Sequence, residues 1–532
     1  MDNQMKNCLE NPVLPGFHPD PSVIRVGEDY YMAVSTFEWF PGVCIYHSTD
    51  LQNWELAARP LNRVSQLDMK GNDASGGVFA PCLSYADGVF YLVYTNVRTH
   101  WYDFMDCHNY LVTAADIRGE WSEPVYLHSL GFDPSLFHDE DGRKWVVSIV
   151  RHYRKNRVQR IALQEYDPVL KKMTGPLREI FEGSGLTAPE GPHLYRRNGC
   201  YYIMTAEGGT EYGHAVTMGR SEKIGGPYEL SPYNPVLTAR HNMTLPLQKA
   251  GHADLVEAPD GEWYMVHLCG RPLPLRRCIL GRETAVQHVK WTEDGWLCLA
   301  DGGNEPRLRV PVSWPVERKR EQEIRYSFQE TELSPDFFSL RVPLGESVSL
   351  TERPGYLRLT GKDSPNSRFE QSLIARRQED FDFSFETELE FEPSSERQMA
   401  GILYFYDECD FYYLRVTYSQ DGQKIVDVMR MNRGKAEYTP DCGIPVPEGR
   451  SIRLRLEVHR TEACFSYSLE EGVWQQAGDT LDASLLSDEY PEEGAYTGAM
   501  VGLGCHDMAY RSAKAYFKYA VYRREGNGME RG

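Results

Sequence analysis

Three carboxylates and one histidine stand at matching distances before aromatic-rich segments of the sequence. Asp20, Asp133, Glu190 and His252 come eleven residues before, respectively, Tyr31, Lys144, Tyr201 and Trp263. Asp20 and Asp133 directly precede a proline, which holds the chain extended and removes a backbone donor. Carboxylates gathered in one place repel each other, and burial disfavours their ionised forms, so their pKa values are driven apart. Cleavage of a glycosidic bond needs two carboxyl groups in different protonation states, and this set predicts that chemistry.

Each residue of this set also has an ordinary structural explanation. An Asp before Pro often caps local backbone in a turn, and Glu190 before Gly-Pro is typical of a loop. A single histidine such as His252 is more often a hydrogen-bonded core residue than a ligand. The shared spacing favours a functional site, because unrelated turn residues have no reason to recur at one distance.

The segments that must position these residues form a repeat. A turn with Gly beside an acidic or amide residue precedes an aromatic β run in RVGEDYYMAVST, YADGVFYLVYT, HDEDGRKWVVSIV, RRNGCYYIMTAEG and APDGEWYMVHL. The marker aromatics lie 60, 54, 57 and 62 residues apart: Tyr31, Tyr91, Trp145, Tyr202 and Tyr264. A weaker two-strand pattern follows each hairpin, so the unit has four strands. Five such units predict a five-bladed β-propeller over residues 1–312, in preference to a large sandwich, with the first strand of each blade lining the channel.

The rest of the chain has a different pattern. Residues 313–325 are charged and contain proline, as in a linker. Strict alternation of apolar and polar residues in YLRLTG, FDFSFETELEFEP and GILYFYDECDFYYLRVTY predicts antiparallel strands. We therefore predict an all-β chain, in which an antiparallel β-sandwich over residues 326–525 follows the propeller and a tail over residues 526–532 ends it.

Composition and charge narrow the class of protein. The chain of 532 residues has a net charge of −20, which argues against nucleic acid or an anionic membrane as partner and favours a neutral substrate. We see neither a signal-peptide pattern nor a run of about 18 apolar residues. The twelve cysteines are scattered singly, and Cys82, Cys200 and Cys269 lie inside strand-like runs. We expect them to be buried free thiols, which predicts a cytoplasmic protein.

Several long motifs resemble those of glycoside hydrolase family 43, in particular its two-domain β-xylosidases and α-L-arabinofuranosidases. They are NPVLPGFHPDPS, GFDPSLFHDEDGRK, EGPHLY, TAEGGTEYGH, LPLQKAGHA and LGRETAVQ in the propeller part, and SLRVPLGE, GYLRLTGK and YTGAMVGL in the sandwich part. The resemblance covers nearly the whole chain and implies a concanavalin-like jelly roll for the sandwich. It implies that Asp20 is the general base, that Glu190 is the general acid, and that Asp133 raises the pKa of Glu190 and orients it. It also implies inversion at the anomeric carbon, with acid and base roughly 6.5–9.5 Å apart.

The same resemblance implies how the substrate is held. Arg282 would bind the sugar and neutralise excess charge between the carboxylates, and His252 would lie at the floor of the channel. We expect no required cofactor. Whether the channel near His252 holds a calcium or sodium ion is left open, because a hard cation needs several oxygen ligands and the sequence assigns none.

Aromatic side chains are the candidates for the wall of a sugar pocket. Phe37, Trp39 and Phe79 supply flat apolar faces, although they also fit a propeller core, which is the better explanation for Phe40. Tyr496 of the sandwich is the candidate that closes the rim of the pocket. The second domain would then be part of the active site.

These expectations predict an exo-acting, inverting β-D-xylosidase of xylan degradation, which hydrolyses short β-1,4-xylo-oligosaccharides from the non-reducing end. An α-L-arabinofuranosidase, or an enzyme with both activities, is the alternative, because the two sugars present similar groups. A retaining, fructose-cleaving hydrolase would carry Asn-Asp-Pro and Glu-Cys motifs where this chain has HPDPS and EGPHL. A non-catalytic carbohydrate-binding protein is disfavoured because all three carboxylates are present. We expect a small oligosaccharide as partner, and a homodimer or homotetramer.

Overall fold

β-Strands account for nearly all of the regular structure. The computed structural model describes residues 7–101, 104–154, 158–438, 443–491 and 495–525, so the predicted tail at 526–532 lies outside the described residues. The helical segments in these ranges are short 3-10 turns: Pro274–Arg276, Gly345–Ser347 and Ala483–Leu485. No helix within the described ranges is long and apolar enough to cross a membrane. The predicted all-β class is confirmed.

The chain divides into two compact units. The first comprises Met1–Leu67, Gly76–Pro272 and Arg282–Lys319, and the second comprises Asp68–Ser75, Leu273–Gly281 and Arg320–Gly532. Two segments from within the predicted propeller region, Asp68–Ser75 and Leu273–Gly281, therefore belong to the second unit, an assignment that the sequence does not predict. The domain limits 1–312, 313–325 and 326–525 stay a prediction.

Five antiparallel sheets form the blades of the first unit, and within each sheet strands that follow each other in the chain pair. Blade 1 contains Ser22–Val26, Asp29–Val34, Cys44–Ser48 and Glu55–Ala58, with the two-residue strand Trp39–Phe40 in its long loop. Blade 2 contains Gly77–Ala86, Val89–Thr99, Asp106–Ala114 and Val125–His128, and blade 3 contains Ser135–His138, Lys144–His152, Val158–Asp167 and Lys172–Phe181. Blade 4 contains Glu190–Arg197, Cys200–Glu207, Ala215–Ser221 and Glu229–Leu230, with Leu237–Thr238 also paired to Ala215–Ser221, and blade 5 contains Gln248–Glu257, Trp263–Gly270, Glu283–Trp291 and Leu297–Leu299. The predicted five-bladed propeller is confirmed.

The five blades close into a ring. The first strands contact one another in cyclic order, and the first strand of blade 5 contacts the first strand of blade 1. The N-terminal segment strengthens this closure, because Cys8–Glu10 pairs with Arg309–Pro311. Asn11 then makes two hydrogen bonds to the backbone of Val286 in blade 5, at 2.7 and 2.8 Å. The chain therefore reaches Asp20 along blade 5 and enters blade 1 beside the channel.

The second unit is a β-sandwich with one large apolar core. One sheet has the order Val348–Ser349, Leu357–Thr360, Lys514–Arg524, Asp382–Glu390, Ile452–His459, Glu462–Glu470 and Val473–Asp482, with Glu323–Tyr326 also on Lys514–Arg524. The other has the order Lys435–Tyr438, Lys424–Asn432, Phe411–Tyr418, Gln398–Phe405, Met500–Asp507, Ser372–Arg377 and Phe338–Leu340, with Ile444–Pro445 also on Lys424–Asn432. Residues of both sheets that belong to this core, such as Leu454, Leu456, Ile402 and Leu414, are fully buried. Burial alternates along Ile452–His459, as the period-two pattern predicts, whereas Gln398–Phe405 is buried along its whole length. The predicted sandwich is confirmed.

Candidate active site

The first strands of the blades bring one backbone position of each blade to a common cavity. A left-handed residue marks this position, with φ of +55° at Asp20, +34° at Ala80, +53° at Asp133, +53° at Gly191 and +46° at His252. Proline follows in the first four blades, and because proline cannot donate to a strand ladder, the pairing shifts register there in blades 2 and 4. All five positions line the cavity, which has room for about one water molecule.

Blade 4 departs from the register that the sequence predicts. Its left-handed position is Gly191, so Glu190 lies one residue earlier than the counterpart of Asp20 and Asp133. A Cβ atom at Gly191 would come within 2.8–3.0 Å of three ring atoms of His252, so the backbone needs glycine there. The prediction that Glu190 occupies the same blade position as Asp20 and Asp133 is therefore wrong by one residue.

Asp20 is a buried carboxylate with two strong hydrogen bonds. Its Oδ1 accepts from Arg282 Nη1 at 2.8 Å, and its Oδ2 accepts from the Ser35 hydroxyl at 2.7 Å. His252 Nδ1 lies 3.9 Å from Oδ1. Burial by itself raises the pKa of Asp20, but the Arg282 charge, His252 and the Ser35 hydrogen bond outweigh burial and hold the pKa below its ordinary value. Asp20 is therefore ionised at neutral pH.

Glu190, which is partly buried, and Asp133, which is buried, form a pair of carboxyl groups whose pKa values are raised, not lowered. Burial and the negative charge of Asp20 raise the pKa of Glu190 to about 7. Burial and the charges of Glu190 and Asp20 also raise the pKa of Asp133 well above its ordinary value. Asp133 Oδ2 accepts the backbone N–H of Gly191 at 3.0 Å, a bond that favours the ionised form of Asp133. The pair therefore holds a proton near neutral pH.

The positions of these carboxyl groups suit different tasks. The side chain of Glu190 is 15% exposed, and that of Asp20 is 5% exposed. The larger exposed fraction of Glu190 suits a group that must reach a departing oxygen. An ionised carboxylate and a protonated one at the same pH are what acid–base hydrolysis of an acetal requires.

Arg282 connects Asp20 to other parts of the propeller. Its Nη1 also donates to the Thr210 hydroxyl at 3.3 Å, and its guanidinium carbon lies 5.2 Å from the centre of the Phe37 ring. The His18 backbone N–H donates to the carbonyl of Arg282 at 2.9 Å. This buried cation offsets the charge of Asp20, as the resemblance implies, while direct contact between Arg282 and a sugar stays a prediction.

His252 lines the cavity beside Asp20. Burial lowers the pKa of His252 to about 4, so the imidazole is neutral. Among the described residues, no cluster of three or more His, Cys, Asp or Glu side chains fits a metal ion. Since a hard cation prefers several oxygen ligands, the neighbourhood of His252 does not fit calcium through direct ligands. A hydrated calcium or sodium ion there stays a prediction, and no chemical step below depends on it.

The aromatic candidates lie in different surroundings. Phe37 and Trp39 are nearly fully buried, at 2% and 1% exposure, whereas Phe79 is 9% exposed. The rings of Phe37 and Phe79 lie 4.6 Å apart, so these two form one apolar wall next to Arg282. Phe40 is buried, at 3% exposure. Tyr496 lies in the second unit, where its backbone N–H donates to Ser75 Oγ at 3.0 Å. Sugar contacts of Phe37, Trp39, Phe79 and Tyr496 stay predictions.

Four polar residues of the site escape the sequence analysis. Ser35 holds Asp20, and its hydroxyl also accepts the Ala80 backbone N–H at 2.8 Å. Thr210 holds Arg282. Glu207, fully buried, accepts hydrogen bonds from Ser184 and the Leu186 backbone and so fixes the loop before Glu190. The fourth is His214, whose Nε2 lies 3.7 Å from Glu190 Oε1. Glu207, Thr210 and His214 lie within the TAEGGTEYGH motif, which is the sequence feature that could have identified them.

The cysteines agree with the sequence expectation in part. All eleven that the structure describes are free thiols. Cys82 and Cys269 are buried inside strands, while Cys200 is only half-buried. Cys442 lies outside the described residues.

Comparison with known proteins gives matches along both units. A model of the family described as "Glycosyl hydrolases family 43" matches residues 9–297, and "Beta xylosidase C-terminal Concanavalin A-like domain" matches residues 325–523. The chain is 47% identical to "Xylosidase/arabinosidase 43B" of Humicola insolens, over 97% of each chain. It is 43% identical to the "Beta-xylosidase" of Bacillus subtilis (strain 168), over 97% of this chain and 99% of that protein. The crystal structure of xylan beta-1,4-xylosidase from Bacillus halodurans C-125 is similar with a TM-score of 0.94 at 47% identity, over 97% of this chain and 100% of that one.

Proposed function

The chain belongs to glycosyl hydrolases family 43, and from this membership we propose that it is an exo-acting, inverting β-D-xylosidase. Its substrates are short β-1,4-xylo-oligosaccharides, cut at the non-reducing end. One observation carries the proposal: Asp20, which is buried, and Glu190, whose side chain is 15% exposed, are carboxyl groups whose pKa values are displaced in opposite directions. The names of the similar proteins support xylose as the sugar.

The protonation states assign the two catalytic roles. Asp20 takes a proton from water as the water oxygen attacks the anomeric carbon. Glu190 gives its proton to the glycosidic oxygen as the bond between that oxygen and the anomeric carbon breaks. The sugar leaves with the inverted anomeric configuration, and both carboxyl groups return to their starting states by exchange of one proton each with solvent.

Asp133 and Arg282 prepare this pair. Burial and the charge of Asp20 let Glu190 keep its proton at a pH where an isolated Glu has lost it. In this scheme Asp133 supports that state, because two neighbouring buried carboxyl groups cannot both ionise easily. Arg282 stabilises ionised Asp20 and limits the repulsion between the three carboxyl groups. Both are positioning residues in this scheme.

α-L-Arabinofuranosidase activity is the second candidate, alone or beside the first. The observation in its favour is the printed name of the Humicola relative, which includes both sugars. The described residues around the carboxyl groups do not rank the two sugars, because the acid–base pair acts on either.

Proton NMR during hydrolysis of xylobiose tests the proposal. We expect α-xylose to appear first and to equilibrate with β-xylose later. If β-xylose appeared first, the enzyme would retain configuration and Asp20 would be a nucleophile. If xylobiose stayed intact while an arabinofuranoside was hydrolysed, the second candidate would replace the first.

Location and assembly are also proposals. We infer a cytoplasmic protein from the free cysteines and a dimer or tetramer from the general behaviour of large β proteins. Fractionation of the native host with detection of the protein tests the compartment. Light scattering of the purified protein tests the assembly, and a monomer at all concentrations would contradict it.

A further inference from the structure

His214 is a buried histidine next to Glu190 that the acid–base scheme does not use. It precedes the strand Ala215–Ser221 of blade 4, and its side chain has no exposed surface. The backbone around it is fixed, because its N–H donates to Glu211 and its carbonyl accepts the Thr238 hydroxyl at 2.7 Å. A Cβ atom on Gly251 would lie 2.4–2.6 Å from the imidazole, so the ring lies directly against that backbone and has little freedom to turn.

The hydrogen bonds of the ring decide its tautomer. Nδ1 lies 3.1 Å from the carbonyl oxygen of Lys249. A carbonyl can only accept, so Nδ1 carries the hydrogen, and in a neutral ring Nε2 then has a lone pair. Within the described part of the chain Nε2 has no hydrogen-bond partner, and Glu190 Oε1 lies 3.7 Å away. A lone pair facing a carboxyl group is favourable only when a proton lies between them.

That proton belongs to Glu190 rather than to His214. A protonated His214 would be a second buried cation near Arg282, and the neutral ring of His252 has no negative charge to offset it. Burial, together with His252 and Arg282, lowers the pKa of His214 to about 3, although Asp20 acts in the opposite direction. Around the ring, Glu190 faces it from blade 4, Asp20 from blade 1, and His252 and Arg282 from blade 5, while Lys249 presents its carbonyl and directs its ammonium to Glu211, 3.7 Å away.

We propose that His214 is a positioning residue that accepts a hydrogen bond from protonated Glu190 and thereby holds the proton on the general acid. This inference rests on the proposed function of Glu190. The separation of 3.7 Å is too long for a hydrogen bond, and the bond forms in the substrate-free protein when the protonated Glu190 side chain moves about 1 Å towards Nε2. His214 also explains which member of the acid pair keeps the proton. Asp133 accepts a backbone N–H, which favours its ionised form, while Glu190 faces an acceptor, which favours its protonated form.

The test compares His214→Phe with His214→Gln and with a matched control. Phe fills similar space without an acceptor, whereas Gln offers a carbonyl oxygen near the position of Nε2. His267→Phe is the control, because His267 is also fully buried, with Nδ1 2.8 Å from the Leu268 carbonyl, but lies outside the site. Thermal unfolding of all three variants shows whether each is folded.

The first readout is the protonation of Glu190 without any substrate. The carboxylic C=O band in the infrared spectrum, assigned by its loss in Glu190→Gln, is followed against pH. We expect the Glu190 pKa to fall by roughly half a unit to one unit in His214→Phe, the size of one hydrogen bond, and to recover partly in His214→Gln. An unchanged pKa in both variants would overturn the inference. This readout is independent of which sugar is cut, so a wild-type protein inactive on xylobiose and arabinofuranosides would contradict the proposed function and not this measurement.

The second readout is the pH profile. Glu190 must be protonated to act, so activity is lost as pH rises through its pKa, and a lower pKa moves the basic limb to lower pH. For His214→Phe we expect hydrolysis of xylobiose at pH 7 to fall about two- to fivefold through this shift. A basic limb that stays in place in His214→Phe, or that moves equally in His267→Phe, would show that His214 acts only on the fold.

Discussion

Removal of the Ser35 hydroxyl tests how Asp20 is kept ionised. In Ser35→Ala the carboxylate loses a hydrogen bond of 2.7 Å, and the Ala80 N–H loses its acceptor. A hydrogen bond to a buried charged group contributes about 1.5–3 kcal/mol, and each pKa unit corresponds to about 1.4 kcal/mol. We therefore expect the pKa of Asp20 to rise by about one to two units.

The acid limb of the pH–rate profile measures this change. Asp20 acts in its ionised form, so activity is present above its pKa and lost as pH falls through it. A raised pKa moves the acid limb to higher pH, while the basic limb, which reports Glu190, stays where it was. The assay is kcat/KM against pH with xylobiose, whose hydrolysis needs Asp20 ionised and Glu190 protonated, so that both limbs are visible.

A matched variant separates this effect from general loss of a buried hydroxyl. Ser148→Ala removes a buried hydroxyl of blade 3 that pairs with His128 Nε2 at 3.1 Å, away from the site. Its acid limb should not move. If Ser35→Ala is folded and its acid limb coincides with that of the wild-type protein, then Ser35 does not stabilise the charge of Asp20 and the reasoning is refuted.

The unfolding free energy of Ser35→Ala should also depend on pH, in the direction that the lowered pKa of Asp20 sets. The pKa of Asp20 is depressed in the folded protein, so its charge stabilises the fold above the ordinary Asp pKa, and this contribution is lost as pH falls through the lower, folded value. Ser35→Ala should therefore be less stable than the wild-type protein at neutral pH, and the difference should shrink on acidification. A difference in unfolding free energy that is constant with pH would instead indicate a packing effect.

The remaining predictions concern the acid and the channel. Glu190→Ala should reduce hydrolysis of xylobiose far more than that of activated aryl xylosides, because only the former needs its leaving group protonated; equal losses would remove the acid assignment. Asp133→Asn should move both limbs of the pH–rate profile to lower pH, since a negative neighbour is removed, and a profile at its old position would contradict that role. Gly191→Ala should lose more stability than Gly199→Ala: both have positive φ, each costing roughly 1–2 kcal/mol, but only a Cβ at Gly191 meets His252. A chelator should leave kcat unchanged, and inactivation by it would show that an ion is required.

The repeat pattern predicted the propeller because each blade is a local unit. A hairpin turn and its two strands form from residues that are close in sequence, so five copies of the same pattern identify five blades whatever the rest of the chain does. The period-two alternation predicted the sandwich in the same way. The assignment of Asp68–Ser75 and Leu273–Gly281 to the second unit had no such local signal.

The sequence singled out the three carboxyl groups of the candidate site, but it did not identify the polar residues that surround them. Glu190 was placed one residue out of register, because counting along the chain cannot show that the left-handed position of blade 4 is Gly191. Ser35 belongs to no motif, and the TAEGGTEYGH motif that contains Thr210 and His214 does not show which of its polar residues reach the site.

The sequence by itself determined the two all-β domains and the family, and it singled out the three carboxyl groups as candidates, because these depend on residue type and on short-range spacing. Only the tertiary structure decided which carboxyl group is ionised. Arg282 reaches Asp20 across 262 positions of sequence, and the Asp133 carboxylate meets the Gly191 N–H across 58. A pKa depends on burial and on charges within a few ångströms, and closure of the ring of blades is what brings those charges together.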